Sequence, residues 1–438
     1  MKRMLGLLVV AFVVLSFGFP VSTRAQNGPG QLRGAQGHVV IPLSNNHTPA
    51  DAGIRSHTNL RIFVPDTPIT PDELPPYAGY AYETPASLGC IYGLVPASPG
   101  CNPNTTTVNP SGGSQTIAIV DAYDYPAAAS DLAVFSAQFG LPAPNASNFT
   151  VVYASGTEPP SDPTGGWESE EALDIEQAHA MAPYAHIYLV EANSNSNSDL
   201  YPAVQVAANY VVCGKSACPH GGPGRGEISM GWGTSEYSDE ASSDFYFRHD
   251  GVVYFAAAGD APGTFYPCVS PNVVCVGGTS TARSIFTGNF LYEVAWQEAA
   301  GGFSYYEPRP FYQNSISSIV GPTRGVPDVA FDGDINTGVW NYDSVPYEVA
   351  PGEFEPGGWF IDGGTSVGAP SVAGIVNAAG HFYDSSFAEL ETIYSHHPGA
   401  PGFMDIQRGY CGPYVTFAAT PGWDFCTGVG SPFGYRGK

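Results

Sequence analysis

The chain has 438 residues, 43% of them hydrophobic, and carries 40 Asp+Glu against 15 Lys+Arg, a formal net charge of −25. The apolar share is enough for one large or two modest globular domains. The charge, with lysine only at Lys2, Lys215 and Lys438, excludes a nucleic-acid binder, whose phosphate contacts need basic patches.

The acidic excess suits an acidic medium. Near pH 4 roughly half the carboxyls would be neutral and the histidines charged, giving about +25 against about −20, near balance. Few basic groups then spare the chain a large positive self-repulsion.

Residues 1–25 read as a secretory signal. Lys2 and Arg3 open it, 5–19 is apolar, and Thr23 and Ala25 offer small residues for cleavage. No other run is apolar enough to span a membrane, so a secreted protein, off the membrane after signal removal, is expected. The eight cysteines, an even number in an exported chain, are expected to pair as disulfides. Their local spacing favours the neighbours Cys90/Cys101, Cys213/Cys218, Cys268/Cys275 and Cys411/Cys426, although spacing alone leaves connectivity open. Residues 26–80 are polar, Pro-rich and poorly periodic, and read as a leader or short pro-segment.

A single large domain is placed at 81–438, entered at about Glu83. From Thr116 short β-branched runs alternate with helical stretches. Strands are expected over 116–120, 151–153, 187–190, 228–230, 252–257 and 273–278. Helices are expected over 127–139, 169–182, 200–212 and 238–248. This alternation predicts an α/β fold, a mainly parallel sheet with helices on both faces. Functional residues in such sheets gather at the carboxyl ends of strands, where Asp121, Glu191, Asp260 and the turn before Ser366 fall. The Gly-, Pro- and Tyr-rich stretch 298–362 supplies loops able to wall a groove.

Residues 361–376, IDGGTSVGAPSVAGIV, read as strand, tight Gly turn and a helix opening at Ser366. A serine there has its hydroxyl at the positive end of a helix dipole, beside unpaired backbone N–H groups. Both features suit a nucleophile that must stabilise an oxyanion. Of the ten histidines none lies in a Gly-His-Gly-Thr context, so the base must be sought elsewhere. The helix opening at 168–176, ESEEALDIE, offers it. Ser169 reads as its N-cap and Glu168, Glu170 and Glu171 as first-turn acids suited to the dipole. Glu170 and Asp174, four residues apart, share one face and repel unless one is protonated and they share the hydrogen.

With these residues the chain resembles the sedolisins, serine-carboxyl peptidases of subtilisin-like fold. The resemblance rests on E-x-x-L-D-I-E and A-x-A-P-x-A (170–185), A-A-A-G-D (256–260) and G-G-T-S-x-x-A-P (363–370). It also rests on R-G-V-P-D-V-A (324–330) and P-G-W-D-F-C-T-G (421–428), all in the family's order. It implies Ser366 as nucleophile, Glu170 as general base, Asp174 as the partner that orients it, and Asp260 in the oxyanion hole. A carboxylate keeps some basicity down to about pH 4, where a histidine base is already protonated. Asp260 must instead carry a proton to donate. The expected protein is a secreted, monomeric, acid-acting endopeptidase on polypeptide substrates; the alternative is a silent sedolisin-like domain that binds peptide.

The resemblance also implies one Ca2+ site, with Asp405 and Asp424 giving carboxylates and Ile406, Thr420 and Gly422 backbone carbonyls. Three departures stand out. Residues 407–411 replace a Gly/Asn-rich loop. Gly231 stands where the family often has Ser or Asn. The stretch ahead of the domain is short for the family's large prodomain. Asp121 is expected to be structural or substrate-facing, and His179 and His186 to be helix-end or surface histidines without a catalytic role.

Overall fold

A computed structural model describes residues 37–65, 75–76, 82–218, 222–395, 399–412 and 416–438. The signal reading at 1–25 lies outside the described residues. The order opens β1 (Gly37–Val40), β2 (His57–Thr58), β3 (Arg61–Pro65), α1 (Pro85–Ile91), β4 (Thr116–Ala122), α2 (Ala128–Phe139) and β5 (Phe149–Tyr153). It continues with α3 (Gly166–Met181), β6 (His186–Ala192), α4 (Asn197–Cys213), β7 (Gly226–Met230), β8 (Trp232–Ser235) and β9 (Val252–Ala257). Then come β10 (Phe265–Tyr266), β11 (Val274–Arg283) and β12 (Phe290–Ala295).

The central sheet has eight strands in the order β12-β11-β9-β7-β4-β6-β5, with Val329–Asp332 also on β11. Its pairings are parallel except β11–β12. A parallel sheet must be covered on both faces, and β4 shows how. Ile117 and Ile119 point into one core with Leu173, Ala178 and Val376, whereas Ala118, Val120 and Ala122 point into the other with Leu200, Val204 and Ala208. Period-2 alternation of apolar residues thus builds two cores. The α/β expectation holds, with α3 and helix Gly368–Ala379 on one face and α4 on the other.

Several boundaries move. Ser169 is not the N-cap of α3, which starts three residues earlier at Gly166. Asp162 takes that part: its Oδ2 accepts from the N–H groups of Gly166 (3.1 Å) and Trp167 (3.2 Å). The expected helix at 238–248 is a 3-10 turn, Glu240–Phe247. The loop stretch 298–362 carries strands, among them Val339–Asp343 paired with Gly358–Gly363. The four disulfides join the expected neighbours.

The larger difference concerns 37–65, read from sequence as part of a leader. It is woven into the domain: β1 pairs with β3, β3 with the strand Gly358–Gly363, and β2 with β8. The run Leu60–Val64 alternates cores as a strand should, with Leu60 and Ile62 in one and Phe63 in another. The prolines around it hid that short pattern.

Candidate active site

All sixteen residues of α3 are buried, including Glu168, Glu170, Glu171, Asp174 and Glu176. The sequence reading took Glu168, Glu170 and Glu171 as first-turn acids suited to the helix dipole, a role that asks for no burial. Instead the helix packs on the sheet beside the helix Gly368–Ala379, whose Gly374 rests against Ala178 and Met181. That close approach sets Glu170 and Asp174 beside the turn that carries Ser366.

Ser366 sits in a 3-10 turn, Thr365–Val367, that runs into the helix Gly368–Ala379. Its hydroxyl donates to the Gly231 carbonyl at 2.8 Å. The same hydroxyl faces the Glu170 carboxyl, and this hydrogen-bonding influence favours a charged Glu170. Neither Glu170 oxygen is in tight hydrogen-bond geometry, so the proton has two acceptors and rests on Gly231. Burial first, then the nearby negative charges of Asp174 and Asp121, hold the Glu170 pKa well above the ordinary range. Asp174 is raised as well, by burial, with the Gly231 amide acting the other way. Two buried carboxyls in this position share a proton more readily than they both ionise.

Gly231 explains one departure from the family pattern. A Cβ there would overlap Glu170 Oε1 and meet Asp174 Oδ2 at 3.0 Å. The two carboxyls converge over its Cα, and a side chain would displace both.

Asp260 lies three residues past the end of β9. Its Oδ1 accepts from the Thr365 N–H (2.7 Å) and hydroxyl (2.9 Å), while Oδ2 is buried without a hydrogen-bond partner, 3.7 Å from Arg61 Nε. Burial raises its pKa to about 6 against the pull of Arg61 and Thr365. Gly364, at φ 108°, bends the chain so that Asp260 Oδ2 and the Asn59 carbonyl both lie against its Cα. Only glycine tolerates that conformation and that proximity.

The cleft holds a chain. Asn59 donates its N–H to the Gly231 carbonyl at 3.2 Å, and its carbonyl accepts from the Ser366 N–H at 3.3 Å. Arg61 donates to the Asp260 carbonyl at 2.8 Å, pairs with Glu298 and lies 5.1 Å from the Trp296 ring. Sequence reasoning missed Asn59 and Arg61, and the strand alternation at 60–64 was the available signal. Thr365, within the recognised motif, gains a part in orienting Asp260.

Asp121 is fully buried and pairs in register with Glu191; it is not substrate-facing. Burial, Asp174 and Glu191 raise its pKa. His179 is near the helix end but buried, with Nε2 2.8 Å from the Pro142 carbonyl, so it is not a surface histidine. His186 is half-buried and stacks on Tyr188.

At the C-terminal end, Asp405 and Asp424 grip one loop. Asp405 Oδ2 accepts from the Gly422 N–H (3.0 Å) and Asp424 Oδ2 from the Thr420 N–H (2.9 Å). Asp405 Oδ1 is buried with no partner. Arg408 turns away, its guanidinium 5.3 Å from the Tyr292 ring. Among the described residues no group of three or more His, Cys, Asp or Glu could hold a metal.

Fold and site together define a subtilisin-like domain with carboxyls, and no Gly-His-Gly-Thr motif, beside the helix-opening serine. No protein-family model matches the chain. It is 31% identical over 361 residues to kumamolisin from Bacillus sp. (strain MN-32), covering 74% of this chain and 59% of that protein. It is 23% identical over 385 residues to sedolisin from Pseudomonas sp. (strain 101), covering 79% of this chain and 59% of that protein. The solved structure of Pseudomonas sedolisin, a serine-carboxyl proteinase complexed with two molecules of pseudo-iodotyrostatin, superposes with a TM-score of 0.59. There the sequence identity is 21%, and the match covers 80% of this chain and 95% of that one. The chain is thus similar to these serine-carboxyl peptidases over about three quarters of its length and shares the sedolisin fold. It spans about three fifths of the length of these two curated relatives.

Proposed function

We propose that the protein is a secreted, acid-acting serine-carboxyl endopeptidase that cuts polypeptides as a monomer. The observation that carries this reading is the convergence at the Ser366 turn: the Ser366 N–H donates to the Asn59 carbonyl, that carbonyl and Asp260 Oδ2 both lie against Gly364, and the Ser366 hydroxyl faces Glu170. Ser366 attacks the peptide carbonyl while Glu170, sharing a proton with Asp174, takes the hydroxyl proton. The Ser366 N–H and protonated Asp260 hold the oxyanion. Glu170 then returns its proton to the leaving amine, and water resolves the acyl-enzyme by the same route. A cleft that accommodates extended chain on both sides of Ser366 favours internal cleavage. Four disulfides support an oxidising compartment, and no described helix is long and apolar enough to cross a membrane.

Asp260 must be neutral to donate. Activity on an internally quenched peptide is therefore expected to peak in acid and to fall as pH rises through about 6, where Asp260 ionises. A maximum above pH 8 contradicts the assignment. A chain inert at every pH would be the peptide-binding domain instead.

One Ca2+ is assigned to Asp405, Asp424 and the carbonyls of Ile406, Thr420 and Gly422. The orphaned, buried Asp405 Oδ1 fits a hard cation. The ion would tie the 420–424 loop to the domain. EDTA is expected to lower the Tm by about 5 °C in the unaltered protein and to leave that of Asp405→Asn unchanged; equal effects on both remove the site.

A further inference from the structure

Residues 56–65 lie across the cleft as a bound peptide lies. His57 and Thr58 pair antiparallel with Gly233 and Trp232 on β8, and Arg61, Ile62 and Phe63 pair with Gly363, Asp362 and Ile361. Between the two ladders Asn59 gives its N–H to the Gly231 carbonyl, and its own carbonyl takes the Ser366 N–H. Such pairing uses backbone groups that every polypeptide carries, while side-chain pockets supply selectivity. The segment therefore marks the course of an extended chain, and each side chain on it marks what the corresponding substrate side chain meets.

Upstream of Asn59 the Thr58 hydroxyl meets Ser44, and the His57 ring meets the Ser44 carbonyl and Asp51. These partners lie a few residues back on the same segment and define no pocket of the domain. Arg61, the second residue after Asn59, is met by the body of the domain. Its Nη1 pairs with Glu298 and its Nη2 donates to the Asp260 carbonyl at 2.8 Å. The guanidinium carbon lies 5.1 Å from the centre of the Trp296 ring. That ring is placed without help from Arg61. Trp296 is buried, its N–H donates to the Gly278 carbonyl at 3.1 Å, and its ring packs over the Gly278 Cα. A carboxylate, a carbonyl oxygen and an aromatic face suit the planar fork of a guanidinium.

We propose that Glu298, the Trp296 ring and the Asp260 carbonyl form a cation subsite, which favours substrates with arginine as the second residue after the cut bond. This rests on the peptidase reading above and adds a sequence preference to it. Arginine keeps its charge throughout the acid range and engages all three groups together. An uncharged side chain of the same shape loses the ion pair and the cation–π attraction. An acidic one is repelled by Glu298.

The test uses the full chain. The bonds it cuts in a random-sequence peptide pool are first mapped by mass spectrometry, and arginine is expected to be enriched at the second position after the cut. Internally quenched peptides are then built on one mapped site and carry arginine, citrulline or glutamate there. They are compared at pH 5, where a peptide glutamate is mostly ionised. An exposed ion pair and a cation–π contact are each modest, so kcat/KM for the arginine peptide is expected to exceed that for citrulline about tenfold, with glutamate lowest. The Glu298 side chain is 53% exposed, so Glu298→Arg is expected to fold, and it should place glutamate above arginine. Should it not fold, Glu298→Gln should narrow the gap between arginine and citrulline. An active protein without the arginine preference, or one whose order survives both substitutions, overturns the subsite and leaves the peptidase reading standing; Arg61 then only ties down its own segment. A protein that cuts nothing in the pool overturns both.

Discussion

Replacing Glu170 with glutamine is expected to lower kcat/KM about a thousandfold while leaving the melting temperature unchanged or raised. Glutamine keeps the shape of the side chain but cannot take the Ser366 proton. The fold does not need the charge. Glu170 is fully buried, and its environment already favours the neutral form through burial and the Asp174 and Asp121 carboxyls. Removing a site that would repel its neighbours is stabilising, if anything. Asp174→Asn should be milder and of a different kind. It leaves the proton acceptor in place but removes the group that shares its proton, so the acid limb of the pH profile should move while the hydroxyl is still activated. Wild-type turnover in Glu170→Gln would move the base to another residue. Unfolding of the variant, detected by a lost melting transition, would make the carboxyl a structural element.

Stability itself is expected to be greatest in acid and to collapse between about pH 5 and 8. Burial raises the pKa of Glu168, Glu191 and Glu389 to about 8 and that of Asp343 to about 7. All four are essentially inaccessible to solvent. A raised carboxyl pKa means that the folded chain holds protons which the unfolded chain gives up near pH 4. Their stabilisation is complete below the unfolded pKa and is lost as pH climbs through the folded one. A tenfold gain in proton affinity on folding corresponds to about 1.4 kcal/mol, and a domain has only about 5–15 kcal/mol to lose. Even a strongly discounted sum over four such groups is comparable with the whole. The Tm, followed by calorimetry from pH 3 to 8, should fall by more than 10 °C. A flat or rising curve would show that these carboxyls find partners when they ionise. Burial raises Glu170 and Asp174 in the same direction, so activity and stability should favour the same acid range.

The parts that were legible in the sequence were local. Contiguous motifs marked Ser366 and Asp260 as candidates through the glycines and small residues around them, and Glu170 and Asp174 through their i, i+4 spacing in one acidic helix. Strand–helix alternation from Thr116 announced the parallel sheet, since two-sided burial demands apolar runs of a recognisable length. Ser169 was misread because several polar residues precede α3, and the choice among them depends on where the preceding turn comes round. Gly231 was unreadable in isolation. Its meaning comes from two carboxyls arriving over its Cα from another element.

The amino-acid sequence by itself determined the α/β class, carried the resemblance to the sedolisins and named the candidate catalytic residues, and it favoured without fixing the neighbour pairing of the cysteines. Each of these is written in spacing or in a single short segment. Only the tertiary structure decided that the acids of α3 are buried and that residues 56–65 cross the cleft with Asn59 against Ser366. Burial of a helix on every side, and pairing between strands some 300 residues apart in the chain, arise from long-range contacts that leave no periodic trace in either partner.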